Sequence, residues 1–127
     1  MSRQAVHTDS APLPKGGYSQ AVIVSDFVYT AGFGPHHPAS GVPVGDSVAE
    51  QTARTLDNVE AVLLAAGSGL EHVVKATVHL QNLDSDFAEF DRMFRSRFAE
   101  PYPARTTVGS DLAGILVEID VVAWRIS

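Results

Sequence analysis

The octapeptide YPARTTVG, residues 102–109, sets one arginine, Arg105, inside a short run of strand-forming residues, and the last apolar run, ILVEIDVVAW, carries Glu118 and Asp120. A guanidinium is a planar, permanently charged fork that meets a carboxylate through two parallel hydrogen bonds, and partial burial strengthens that match. Arg105 is therefore suited to holding a small carboxylate ligand. The same residue types on neighbouring strands also suit a cross-strand ion pair between Arg105 and Glu118, worth roughly 0.2–1 kcal/mol. Both readings stand on the residues alone.

Other chemistries have less behind them. The chain has no cysteine, which excludes disulfides, thiolate catalysis and zinc–thiolate sites. His36 and His37 lie in a loop with no third ligand at a recognisable spacing, and His72 and His79 fall on opposite faces of a predicted strand, so no metal site is expected. No G-x-S-x-G elbow and no glycine-rich phosphate loop occurs.

The elements that must position Arg105 and Glu118 follow from periodicity. YSQAVIVS and FVYTAG are β-rich runs separated by Ser25-Asp26 and predict a hairpin. After a Gly/Pro-rich loop, Ser47 and Glu50 have the spacing of a capping box. Val48, Thr52, Thr55, Leu56, Val59, Val62, Leu63 and Ala66 then recur at helical spacing up to Gly67, while Arg54, Asp57 and Glu60 mark a wet face. HVVKATVHL alternates, with Val74, Ala76, Val78 and Leu80 on one side and Val73, Lys75, Thr77 and His79 on the other. Asp84 or Ser85 is the expected cap of a second helix whose stripe is Phe87, Phe90, Phe94 and Phe98, stopped by EPYP. The order is β-β-α-β-α-β-β, an α+β fold of one sheet with two helices packed on one face.

Alternation in the final strand turns Ile115, Val117, Ile119, Val121 and Ala123 toward the helices and Glu118 and Asp120 away. In the strand before it, Ala104, Thr106 and Val108 are expected to face the core, with Arg105 and Thr107 on the open side. A turn near SDLA would make these two strands antiparallel neighbours and set Arg105 opposite Glu118. The open face also offers Val22, Val24, Leu116, Val122 and Trp124, more apolar surface than water tolerates, so identical subunits are expected to cover it.

Length and charge bound the rest. The 127 residues suit a single domain, 1–127, with a loose leader over 1–16. A formal charge of −6 with scattered basic residues works against a nucleic-acid partner. No run approaches the ~18 apolar residues of a membrane span and the opening residues have no signal-type apolar stretch, so a cytoplasmic location without a membrane partner is expected.

In order along the chain, GGYSQA, AGFGP, AEQTARTLDNVEAVLLAAG, VVKATVHL, PARTTV and LVEIDVVA resemble the reactive intermediate deaminase family, also called RidA or YjgF and grouped with endoribonuclease L-PSP proteins. The likeness runs from about Gly16 to Ala123. It implies a chorismate-mutase-like fold assembled as a homotrimer, with ligand clefts between subunits. Active members hydrolyse 2-imino acids, arising from 2-aminoacrylate-type enamines, to 2-keto acids and ammonia without a cofactor. The family's carboxylate-binding arginine falls on Arg105, its acidic site residue on Glu118 and its early tyrosine on Tyr18. Glu118 would then position water and move protons, and Thr107 would contact substrate or water. The chain departs from the family pattern at Gly17, at Ala31 and Phe33, which replace Ser and Gln, at Asp91, which replaces a frequent Asn, and in a shorter connection from Arg105 to Glu118. Ala31, Phe33 and Asp91 are thus the positions expected to shape substrate choice. Two other functions fit the same resemblance: a non-catalytic, regulatory binder of small carboxylates, and a deaminase of an unsaturated amino-dicarboxylate from aromatic degradation.

Overall fold

The first helix forms where its sequence encodes both ends. In the computed structural model of the chain, which describes residues 2–125, α1 spans Val48–Ala65. Ser47 caps it through a reciprocal box with Glu50, and Gly67, at φ +82°, takes the left-handed position just past the end. Its apolar stripe, with Leu56, Val59, Val62 and Leu63 fully buried, lies on the sheet.

The sheet has six strands: β1 (Gln4–Val6), β2 (Ala21–Val24), β3 (Phe27–Thr30), β4 (Val73–Leu80), β5 (Ala104–Gly109) and β6 (Val117–Trp124), in the order β1-β2-β3-β6-β4-β5. The hairpin of β2 and β3 turns at Ser25-Asp26 as expected, with Ser25 at φ +55°. A single-turn 3₁₀ helix, Leu70–His72, leads into β4, and α2 (Leu83–Arg97) joins β4 to β5. Both helices cover one face, α1 over β6 and β3 and α2 over β4, and they contact one another. Arg97, in the last turn of α2, ties the pair together through Asp57 Oδ1 at 3.0 Å and the Ala53 carbonyl at 3.1 Å. This is the α+β fold of one sheet and two helices that the periodicity predicts.

Several expectations are corrected. Residues 1–16 are not simply a loose leader: Gln4–Val6 pairs antiparallel with β2, and Ala11 is fully buried. The buried Gln20 side chain explains this, because it accepts from the Thr8 N–H at 2.8 Å and donates to the carbonyls of Thr8, Ala11 and Pro12. Neither Asp84 nor Ser85 caps α2; both lie within its first turn, after Asn82. In β4 the register shifts between Val73 and Lys75, so Val73 is buried and Val74 exposed, the reverse of strict alternation.

The largest correction concerns β5. It does not pair with β6 but runs parallel to β4, because α2 carries the chain across the sheet as a βαβ crossover, while β6 inserts antiparallel between β3 and β4. Arg105 stands beside the fully buried Ala76, so Arg105 and Thr107 face the helices and Ala104, Thr106 and Val108 face away. Lys75 Nζ donates to Thr106 Oγ1 at 3.0 Å on that open side. Arg105 therefore does not lie opposite Glu118, whose β4 partner is His79. In β6 the expected apolar set does face the helices, with Val117, Ile119 and Ala123 at zero exposure.

The open face is apolar toward one edge and charged toward the other. Val22, Tyr29 and Val122 form one cross-strand row and Val24, Phe27 and Trp124 the next. Beyond them Asp120 lies across from Thr77, flanked by Lys75 and His79. Burial pushes the Asp120 carboxyl above its ordinary value, against the pull of His79 and Lys75. A raised folded-state value stabilises the fold below the unfolded carboxyl range, and the stabilisation is lost as pH climbs through the raised value. Asp120→Asn is accordingly expected to raise the thermal midpoint at pH 7, with the gain fading below about pH 4. Melting curves across that range check this; a midpoint unchanged or lowered at pH 7 contradicts it.

Candidate active site

One cleft gathers ionisable groups around the start of β6. After β3 the chain runs antiparallel to β6, with Phe33 and Ile119 exchanging both backbone hydrogen bonds at 2.9 Å. Glu118, on the open face, thereby comes against Gly32, where a Cβ would stand 2.8 Å from Glu118 Oε2. Any side chain at this position would have to push the carboxylate aside. The cleft holds about 190 Å³, small beside the several hundred of a drug-sized pocket and suited to a metabolite. Besides Glu118 its walls include Tyr18, Lys15, His36 and the apolar Pro12 and Leu13.

The loop that carries this wall is pinned from α1. Asn58, fully buried, donates to the carbonyls of Gly34 at 3.0 Å and His36 at 2.9 Å, and its Oδ1 accepts from Arg54 Nη2 at 2.7 Å. Asn58→Ala strands both carbonyls and is expected to cost about 1–3 kcal/mol per orphaned buried group. Denaturant unfolding measures the loss; a change under 0.5 kcal/mol would contradict this anchoring role.

A second cluster lies under α2. The Arg105 guanidinium, 19% exposed, sits 4.8–5.6 Å from the ring centroids of Phe94, Phe90 and Phe87. Its Nη1 donates to Asp91 Oδ1 at 2.9 Å, and Asp91 Oδ2 meets Arg95 Nε at 3.1 Å. Thr107 shares this face of β5, half-buried beside Val78. The Asp91 carboxylate thus occupies one arm of the Arg105 guanidinium.

Within one chain the two clusters do not meet. β4 separates β5 from β6, about 10 Å in strand spacings, and Arg105 and Glu118 project from opposite faces. Of the expected site residues, Glu118, Tyr18 and Phe33 border the cleft, whereas Arg105, Asp91 and Thr107 belong to the α2 side. Tyr18 is 54% exposed, and its hydroxyl accepts from the Lys15 backbone N–H at 3.2 Å. Phe33 is 6% exposed and belongs to the hydrophobic core. Ala31 packs half-buried against that core, its N–H donating to the Gln20 carbonyl, and does not border the cleft.

The sequence model of the endoribonuclease L-PSP family matches residues 8–125, nearly the whole chain. The chain belongs to that family, the YjgF/RidA family. It is 37% identical over 127 residues to a RutC family protein of Pyrococcus abyssi, covering 98% of this chain and 99% of that one. It is also 37% identical over 123 residues to the 2-iminobutanoate/2-iminopropanoate deaminase of Bos taurus, covering 95% and 89% of the two chains. Among solved structures, RidA from an Antarctic Psychrobacter superposes with a TM-score of 0.89 at 36% identity, over 95% of this chain and 98% of that one.

Two cleft residues of this RidA-family chain escape a reading of its sequence. His36 looks like a loop histidine, but it packs with Ile115 over Gly34, where a Cβ would meet Ile115 Cδ1 at 2.7 Å and the imidazole ring at 2.9 Å. Burial lowers its pKa, the Lys15 ammonium acts in the same sense and Glu118 opposes, so the neutral form of the imidazole is favoured. Lys15 lies in the segment expected to be loose. The spaced glycines 32 and 34 were the available signal. Among the described residues no group of three or more His, Asp or Glu side chains could hold a metal ion, and no helix is long and apolar enough to cross a membrane.

Proposed function

We propose that this protein is a cofactor-independent enamine/imine deaminase, which hydrolyses 2-imino acids to 2-keto acids and ammonia in clefts between the subunits of a homotrimer. The observation that carries the reading is the Glu118 carboxylate held against bare backbone in a metabolite-sized cleft, with Tyr18 at its mouth. The family and the bovine relative's deaminase activity support it. Because Arg105 and Glu118 point from opposite faces, Arg105 of one subunit completes the cleft of a neighbour. The exposed apolar rows of Tyr29, Phe27 and Trp124 supply the surface such an assembly buries.

In the proposed reaction Arg105 holds the α-carboxylate and fixes the C=N carbon near Glu118. Glu118 takes a proton from water as the oxygen adds to that carbon, then returns it to the nitrogen. The hydroxyl proton of the resulting carbinolamine then passes through the same carboxylate to the nitrogen, the C–N bond breaks as the carbonyl forms, and ammonia leaves. One water is consumed and no electrons change hands. Tyr18, and Thr107 from the subunit that supplies Arg105, offer hydroxyls to the substrate or the attacking water.

The test generates imino acids in place from several amino acids with an amino-acid oxidase and traps the imine with semicarbazide. Wild-type protein should suppress semicarbazone formation and release keto acid. No suppression with any substrate would overturn the deaminase reading and leave a binder of small carboxylates.

A further inference from the structure

We propose that Lys15 and His36 form a subsite for a second acidic group, so that the cleft beside Glu118 selects ligands carrying two carboxylates. This deepens the proposed function and rests on it only for the reacting end of the ligand.

Three glycines carry the argument. A Cβ at Gly32 would stand 2.8 Å from Glu118 Oε2, one at Gly34 would stand 3.0 Å from His36 Nδ1, and one at Gly41 would stand 3.3 Å from Lys15 Nζ. Gly41 also has φ +72°, a left-handed conformation that favours glycine. The backbone is therefore bare under each of three polar groups lining one small cleft: a carboxylate, an imidazole and an ammonium. His36 feels both charges, being affected by Lys15 and by Glu118.

The charges are also available. Among the described residues no carboxylate lies within 4 Å of Lys15 Nζ, and Nζ makes no hydrogen bond. The His36 ring, lining the same cleft, supplies an N–H donor. Pro12 and Leu13 offer apolar contact for the methylenes between the two ends of a ligand. Arg105 takes the α-carboxylate in the proposed reaction, so Lys15 and His36 are left for a distal acid. A ligand with an apolar tail would instead bury the unpaired ammonium at a cost.

The experiment titrates the full-length protein with 2-oxoglutarate and with 2-oxobutanoate, stable keto acids that differ in the distal carboxylate, by calorimetry at low and high salt. Wild type should bind the diacid about three- to tenfold more tightly at low salt, a preference that shrinks at high salt. Lys15→Met should bring the preference to about one, and Lys15→Arg should keep it. Parity in wild type, weakening of both acids alike by Lys15→Met, or failure of either acid to bind at millimolar concentration overturns the proposal. Imine trapping runs separately: a diacid preference without turnover removes the deaminase reading and leaves this subsite standing.

Discussion

Glu118→Gln is expected to cut kcat for 2-iminobutanoate hydrolysis about 10²- to 10⁴-fold, the range over which a positioned acid–base group accelerates proton transfer. The substitution keeps the shape that fits against Gly32, where the backbone passes within contact of the carboxylate, and removes only its capacity to hold a proton. Because the amide can still hydrogen-bond substrate, the loss should fall on kcat more than on KM. Stopped-time assays of ammonia release, with circular dichroism to show the fold retained, make the measurement. A variant within threefold of wild type would remove Glu118 from the reaction.

Arg105→Ala should lower kcat/KM about 10- to 150-fold, the worth of one charged hydrogen bond of about 1.5–3 kcal/mol. A carboxylate is bound in the ground state and the transition state alike, so this loss should appear chiefly as a raised KM. Asp91 sharpens the test. Its carboxylate holds Arg105 Nη1 at 2.9 Å and, under the proposed reaction, would compete with the substrate carboxylate for the same guanidinium. Asp91→Asn is therefore expected to lower KM several-fold in the wild-type background and to do nothing once Arg105 is alanine. Independent, additive effects of the two substitutions would show that Asp91 does not act through Arg105. Arg105 also packs on Phe87, Phe90 and Phe94, so Arg105→Lys is the companion variant that keeps charge and bulk while losing the fork.

The expectation that Arg105 holds a ligand, with Glu118 and Tyr18 beside it, came from residue types and from resemblance to the RidA family, and of these residues Glu118 and Tyr18 border one cleft. That Arg105 and Glu118 are neighbours came from treating the short segment between β5 and β6 as a hairpin, and it fails. The chain held the counter-signal: a helix stands between β4 and β5, and a strand-helix-strand unit brings its two strands together in parallel. Once β5 takes the edge beside β4, the face of Arg105 follows from Ala76, and the arginine swings under α2 to meet Asp91. Ala31, expected near the ligand, packs instead against the core beside Gln20, a tertiary anchor that no spacing announces.

What could be read from the order of residues was what depends on neighbours a few positions apart: both ends of α1 from Ser47, Glu50 and Gly67, the β2-β3 hairpin, the buried stripe of β6, and so the layered α+β architecture. Helical and strand periodicity and capping are local, because their hydrogen bonds and side-chain contacts close within one turn or one pleat. Which strands pair, which face β5 shows and which loop residues share a cleft were decided only when distant segments met. The position of β6 between β3 and β4, the Gln20 side chain that ties down residues 8–12, and the Asn58 amide that holds Gly34 and His36 are contacts between residues far apart in the chain. Their free energy exists only in the assembled fold, and with it the meeting of Lys15, His36 and Glu118.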